Sequence, residues 1–241
     1  MCTAYPETLQ PESPPINASR ARGSVFFMIL IVVAVFAALT YAITRGGDGV
    51  KNLSDEKIRL LATEMIDLGG RMNETVAQLS LRGVSDTGVS FEYNGQMVNA
   101  GCGTAACKIF DPDGGAMDWE TPPPQANGGE DWVYTGDLGV PEIGTDAADL
   151  IMILPDIPLG LCRRINILND IGDEMSTPPS LPALVLTPFT GGYDPTPANL
   201  ADALFHAKKG GCFSAKLSGA AVPSVPANTD LYNFFYVLKA R

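Results

Sequence analysis

The chain is short of the side chains that catalysis and nucleic-acid binding draw on most. It has one histidine, His206, set between "ALF" and "AKK". There is no G-x-S-x-G elbow, no H-E-x-x-H helix and no G-x-x-x-x-G-K-[ST] loop, so the common nucleophile, zinc and phosphate motifs are missing. The glycine doublets at 46, 69, 114, 128, 191 and 210 are scattered turn markers and build no phosphate cradle. Basic residues are also few: 16 Lys and Arg against 27 Asp and Glu give a net charge of −11. Such a surface repels phosphate backbones, which excludes nucleic acid as a partner. These absences point to a protein that is not an enzyme.

Charge is missing altogether from residues 24–44, "SVFFMILIVVAVFAALTYAIT". As a helix this run would reach about 31 Å, the thickness of a bilayer core. It is longer than the about 7–15 apolar residues of a secretory signal and shows no polar face. The expectation is a transmembrane helix. Arg20 and Arg22 before the run and Arg45 and Lys51 after it leave the positive-inside count nearly balanced. Cysteine usage sets the orientation. Cys2 stands alone on one side, and Cys102, Cys107, Cys162 and Cys212 form an even set on the other. Four cysteines allow three pairings. A short Cys102–Cys107 loop is a hairpin clip, and Cys162 with Cys212 would then close a loop of about 50 residues. Four buried free thiols are the alternative. C-x4-C is not the C-x2-C knuckle of a zinc site. The placement that follows is a single-pass inner membrane protein, with its C-terminal domain in the periplasm or on the cell surface.

The expected organisation has five parts. Residues 1–23 form a disordered, proline-rich leader; 24–44 the membrane helix; 45–52 a glycine-rich joint; 53–82 an amphipathic helix; and 83–241 a β-rich globular head. In the amphipathic segment, Ile58, Leu61, Met65, Leu68, Met72, Val76 and Leu79 recur at steps of three and four, which makes one apolar stripe. Gly69 and Gly70 interrupt it, either as a bend or to let another backbone come close. Asn94-Gly95 is the strongest hairpin signal. "DWVYTGDL", "DLIMILPDI" and "DLYNFFYVLKAR" read as strands, "ACKIF" as a further one, and "LCRRINILNDIG" and "NLADALFHAKKGG" as short helices. The fold class expected is α+β: a long N-terminal helix, membrane-spanning and then amphipathic, packed on a small antiparallel head.

Asp111, Asp113 and Asp118 cluster in "DPDGGAMD". Oxygen-rich loops of this kind hold calcium, although Gly115 and Pro122 stand where EF-hand ligands belong. The three aspartates are a calcium candidate set beside the simpler reading of a solvated turn. No other cofactor is indicated. Ala34, Ala38 and Ala42 recur every four residues and make a small-residue stripe that lets apolar helices pack closely.

"RARG", then "SVFFMILIVVAVFAALTYAITRG", then an amphipathic helix resembles the type IV pilin and pseudopilin class. The resemblance covers about residues 20–82. It implies a leader cut after Gly23 by a prepilin-type peptidase, with Ser24 first in the mature chain and methylation among the modifications. It also implies a helix that sits in inner-membrane lipid and later packs against self or related subunits. Cys162 and Cys212 would be the head disulfide. Family members carry phenylalanine first and glutamate fifth; here Ser24 and Met28 occupy those places, which points to a minor component. The function implied is a structural subunit of a pilus-like or secretion-pseudopilus-like filament. The alternatives are a membrane-anchored extracytoplasmic binding or scaffold domain and an unrecognised membrane-anchored hydrolase.

Overall fold

Two units divide the chain, Met1–Asn52 and Leu53–Arg241. The computed structural model describes the backbone of residues 24–45, 47–223 and 230–241, and the side chains of 27–37, 55–223 and 230–241. The leader with Cys2 and Gly23, and the side chains of Ser24, Ala38 and Ala42, lie outside the described residues.

In the first unit, α1 spans Ser24–Arg45. Its apolar side chains between Phe27 and Phe36 are exposed, as is Ala34. The next helix, α2 (Gly47–Leu81), enters the second unit at Leu53. The glycines at 47 and 49 are therefore helical, within the stretch expected to be a joint. The other end of α2 is set by Gly83, whose φ of 91° suits glycine. There Val84 N–H donates to Leu79 O and Gly83 N–H to Ser80 O, a Schellman closure that satisfies the last carbonyls.

A six-stranded sheet forms the centre of the second unit. Its strands are β1 (Val133–Gly139), β2 (Asp149–Leu154), β3 (Leu184–Val185), β4 (Ala198–Asn199), β5 (Gly210–Ser218) and β6 (Asp230–Lys239). The order is β3-β5-β6-β2-β1-β4. The four inner strands are antiparallel, and each outermost strand joins its neighbour in parallel. Alternation of side chains explains why the sheet is apolar on both faces. Leu150, Met152 and Leu154 of β2 and Phe234 and Leu238 of β6 point to one core; Ile151, Ile153, Phe235 and Val237 point to the other.

The first core is roofed by helices. Met65, Leu68, Met72, Val76 and Leu79 of α2 are buried there beside Leu161, Cys162 and Ile165 of α3 (Leu159–Leu168). The apolar stripe of α2 thus packs on its own domain, with Ile58 and Leu61 half-buried at its start. The second core is closed by Leu184 of β3, by Phe205 of a 3-10 turn and by loops that bring in Leu181, Leu186, Leu200 and Val222.

Sheet edges need cover because their unpaired amides recruit other strands. The outer edge of β5 is covered in three steps. Asn166 of α3 accepts from Cys212 N–H (2.7 Å) and donates to Cys212 O (2.9 Å). Ser214 N–H donates to Pro179 O and Leu181 N–H to Ser214 O. Then β3 takes Leu217 and Ser218. The Cys162–Cys212 disulfide reinforces the first step, because Cys162 lies one turn before Asn166. A loop of this length contributes about 4 kcal/mol on the chain-entropy account. The second disulfide, Cys102–Cys107, closes a short loop after the Asn94-Gly95 turn.

Several expectations are corrected. The domain is not a long helix on a small antiparallel head: the sheet is six-stranded and mixed, and it is covered on both faces. Among the described residues, no helix is long and apolar enough to cross a membrane. The membrane-spanning segment and the single-pass inner-membrane placement are therefore not supported, nor are the membrane and pilin descriptions that depended on them. The Asn94-Gly95 turn forms, but its flanks make only the Tyr93–Gln96 bridge, with Ser90 instead paired to Lys108. "NLADALFHAKKGG" yields one turn of 3-10 helix, Ala203–Phe205, and its glycine doublet opens β5.

Candidate functional site

Asn94 (φ 49°) and Gly95 (φ 75°) both take left-handed conformations, as a tight hairpin turn requires. The turn brings Tyr93 N–H to Gln96 O and Gln96 N–H to Tyr93 O. The returning segment is anchored by buried Asn99, whose amide donates to Thr87 O and Val89 O, both at 2.8 Å. The 102–107 disulfide and the Lys108–Glu92 ion pair (2.9 Å) hold the following segment. Tyr93 is thereby fixed at the rim, 38% exposed.

Trp119 stacks on Tyr93 with ring centroids 4.5 Å apart and planes 8° from parallel. Phe110 meets both rings edge-on. Tyr134 of β1 touches Phe110 and Trp119 and stacks on Phe91 at 4.1 Å. Phe91 continues to Phe189, and Phe189 to Tyr193. Each such pair adds about 0.5–1.5 kcal/mol beyond its buried area, so the rim is held by a continuous set of aromatic contacts. At the far end, the Arg241 guanidinium lies 4.1 Å over the Tyr193 ring and pairs with Asp86 at 3.2 Å.

Beside the stacked pair opens a cleft of about 520 Å³. Tyr93, Trp119, Trp132 and Tyr134 give it an aromatic wall with Met97 beside them, and Glu130 and Asp131 are also among the lining residues. Met97 holds a positive φ of 52°, a costly conformation for a side-chain-bearing residue. Trp132 is buried, and its indole N–H donates to Glu120 O at 3.1 Å. Burial, with a further push from the Glu120 carboxylate, drives the Tyr134 phenol far above its ordinary value. It stays protonated and neutral.

The aspartates proposed for calcium do not converge. Among the described residues, no group of three His, Cys, Asp or Glu side chains is placed to hold a metal ion. Asp111 instead shapes its own turn. Its carboxylate accepts from Asp113 N–H (3.0 Å), and its carbonyl accepts from Gly114 and Ala116 N–H. Gly114 is required there, because a Cβ would lie 2.1 Å from Lys108 O. His206 pairs with Glu142 at 3.1 Å on the surface.

The cleft was not read from the sequence. Its trace was there: both tryptophans follow an aspartate, Asp118-Trp119 and Asp131-Trp132, on either side of a loop rich in proline and glycine. No protein-family model, curated protein or solved structure matches this chain.

Proposed function

We propose that the protein is a structural subunit, without catalytic activity, that joins like subunits through α1 into a filament-like assembly. One observation carries this reading. The nine large apolar side chains described in α1 are each 46–68% exposed. Fully burying one such side chain yields about 1.5–3 kcal/mol, so a bundle of like helices is strongly favoured over separate chains in water. Ala34, exposed among them, is small enough to let neighbouring helices approach.

The test is oxidative cross-linking of the full chain carrying Cys2→Ser and Val33→Cys. Contact between copies along α1 gives a disulfide-linked dimer that reductant removes. Absence of that dimer at assembling concentrations overturns the reading.

A second reading, a binding module, is favoured by the aromatic cleft. It places recognition on the second unit and is compatible with assembly through the first.

A further inference from the structure

We propose that the Cys102–Cys107 disulfide is a thiol-exchange site, and that its opening by a dithiol reductant loosens the aromatic rim around Tyr93 and Trp119. The inference goes beyond assembly through α1 and does not depend on it.

The two disulfides differ in access. Cys162 and Cys212 are both 0% exposed and belong to the first core, where they join α3 to β5. A thiolate reaches that bond only when the domain opens. Cys102 is half-buried, and Gly101, Gly103, Thr104 and Ala106 around it are exposed. Cys107 is 8% exposed, so Cys102 is the more accessible of the pair. Exposed disulfides are the ones that thiols open readily. The clip also spans a sequence separation of 5, against 50 for the core bridge. A short loop constrains the unfolded chain less, so the fold survives its opening.

One thiolate of the dithiol attacks the Cys102 sulfur, the S–S bond breaks, and Cys107 leaves as a thiolate. The second thiolate attacks the reductant's own sulfur in the mixed disulfide and releases Cys102. The dithiol is oxidised to a cyclic disulfide and the clip is reduced by two electrons. Cys102 and Cys107 each take up one proton, matching the two that the dithiol gives up.

The clip sits where it braces the rim. Cys102 N–H donates to Asn99 O, on the segment returning from the Asn94-Gly95 turn. Cys107 O accepts from Ser90 N–H, and Ser90 O accepts from Ile109 N–H. Phe110 follows Ile109 and meets Tyr93 and Trp119 edge-on. The bridge therefore ties the return of the hairpin to the segment that carries Phe110. Once it opens, hydrogen bonds and the Lys108–Glu92 ion pair hold this junction without a covalent tie.

The full-length protein carrying Cys2→Ser is treated with dithiothreitol in native buffer, alkylated at intervals and mapped by peptide mass spectrometry. Cys102 and Cys107 should be labelled about tenfold faster than Cys162 and Cys212. Acrylamide quenching of tryptophan fluorescence should rise in step with that labelling and fall back on reoxidation, because Trp119 is one of two tryptophans and stacks on Tyr93. Cys102→Ser with Cys107→Ser should hold the quenching of the reduced protein; if that variant misfolds, the protein with all four cysteines carries the test. No labelling of Cys102 and Cys107 in native buffer, labelling of all four cysteines at one rate, or opening of the clip with unchanged quenching overturns the proposal.

Discussion

Gly69 of α2 and Tyr236 of β6 meet so closely that a Cβ on the glycine would lie 2.5 Å from Tyr236 Cγ. The helix can lie on the sheet at this point only because residue 69 has no side chain. The neighbouring Gly70 is different: a Cβ there would find Tyr236 Oη at 3.8 Å, an ordinary contact.

These two glycines should therefore respond oppositely to alanine. Gly69→Ala gains about 1 kcal/mol of helix propensity but must displace an aromatic ring, an overpacking that costs about 1–3 kcal/mol. Its urea midpoint should fall. Gly70→Ala should raise the midpoint by the equivalent of about 0.5–1 kcal/mol. Equal shifts for both variants would show that the close approach is not a constraint.

Asn166 should matter more than its polarity suggests. Asn166→Ala leaves the buried N–H and C=O of Cys212 without partners, at about 1–3 kcal/mol for the unsatisfied groups. Because Cys162 holds the same residue covalently, the loss should be non-additive with removal of the disulfide. A double-mutant cycle by denaturant unfolding checks this, and strict additivity would contradict it.

Asp149 is fully buried, and its carboxylate accepts from Val140 N–H (2.9 Å) and Arg241 N–H (3.0 Å). Burial raises its pKa above 3.8, and the two backbone bonds and the Arg241 charge offset only part of that. The folded state therefore holds this proton at pH values where the unfolded state has lost it. Its contribution is fully present below about 3.8 and is lost as pH rises through the higher folded value. Asp173 acts with the opposite sign: the Ser176 hydroxyl, then the Met175 N–H, lower its pKa. Its contribution holds above the ordinary carboxylate value and is lost as pH falls through the depressed one. Stability measured across the acid range should show the Asp173 part shrink in Ser176→Ala, where the Met175 N–H still lowers the pKa, and the Asp149 part persist. Loss of both in that variant would contradict the assignment.

Parts of this fold were legible because their signals are local. The three-and-four spacing of Met65, Leu68, Met72, Val76 and Leu79 fixes a helix and its buried face, and the apolar runs at 149–154 and 230–239 mark the central strands. What failed depends on distant partners. Gly210 and Gly211 read as a helix stop but are strand residues, because Tyr236 and Phe235 lie directly across from them. The parallel outer pairs β1–β4 and β3–β5 involve two residues each, too few to leave a pattern. The cleft brings together side chains from positions 93 to 223, and no spacing rule links them.

The exposed apolar side chains of α1 give the most direct test of assembly. Sedimentation velocity of the full-length chain in detergent-free buffer should show discrete multi-subunit species, and Val33→Asp should convert them to monomer while leaving the thermal unfolding of the head unchanged. A wild-type chain that sediments as a monomer across the micromolar range would contradict assembly through α1.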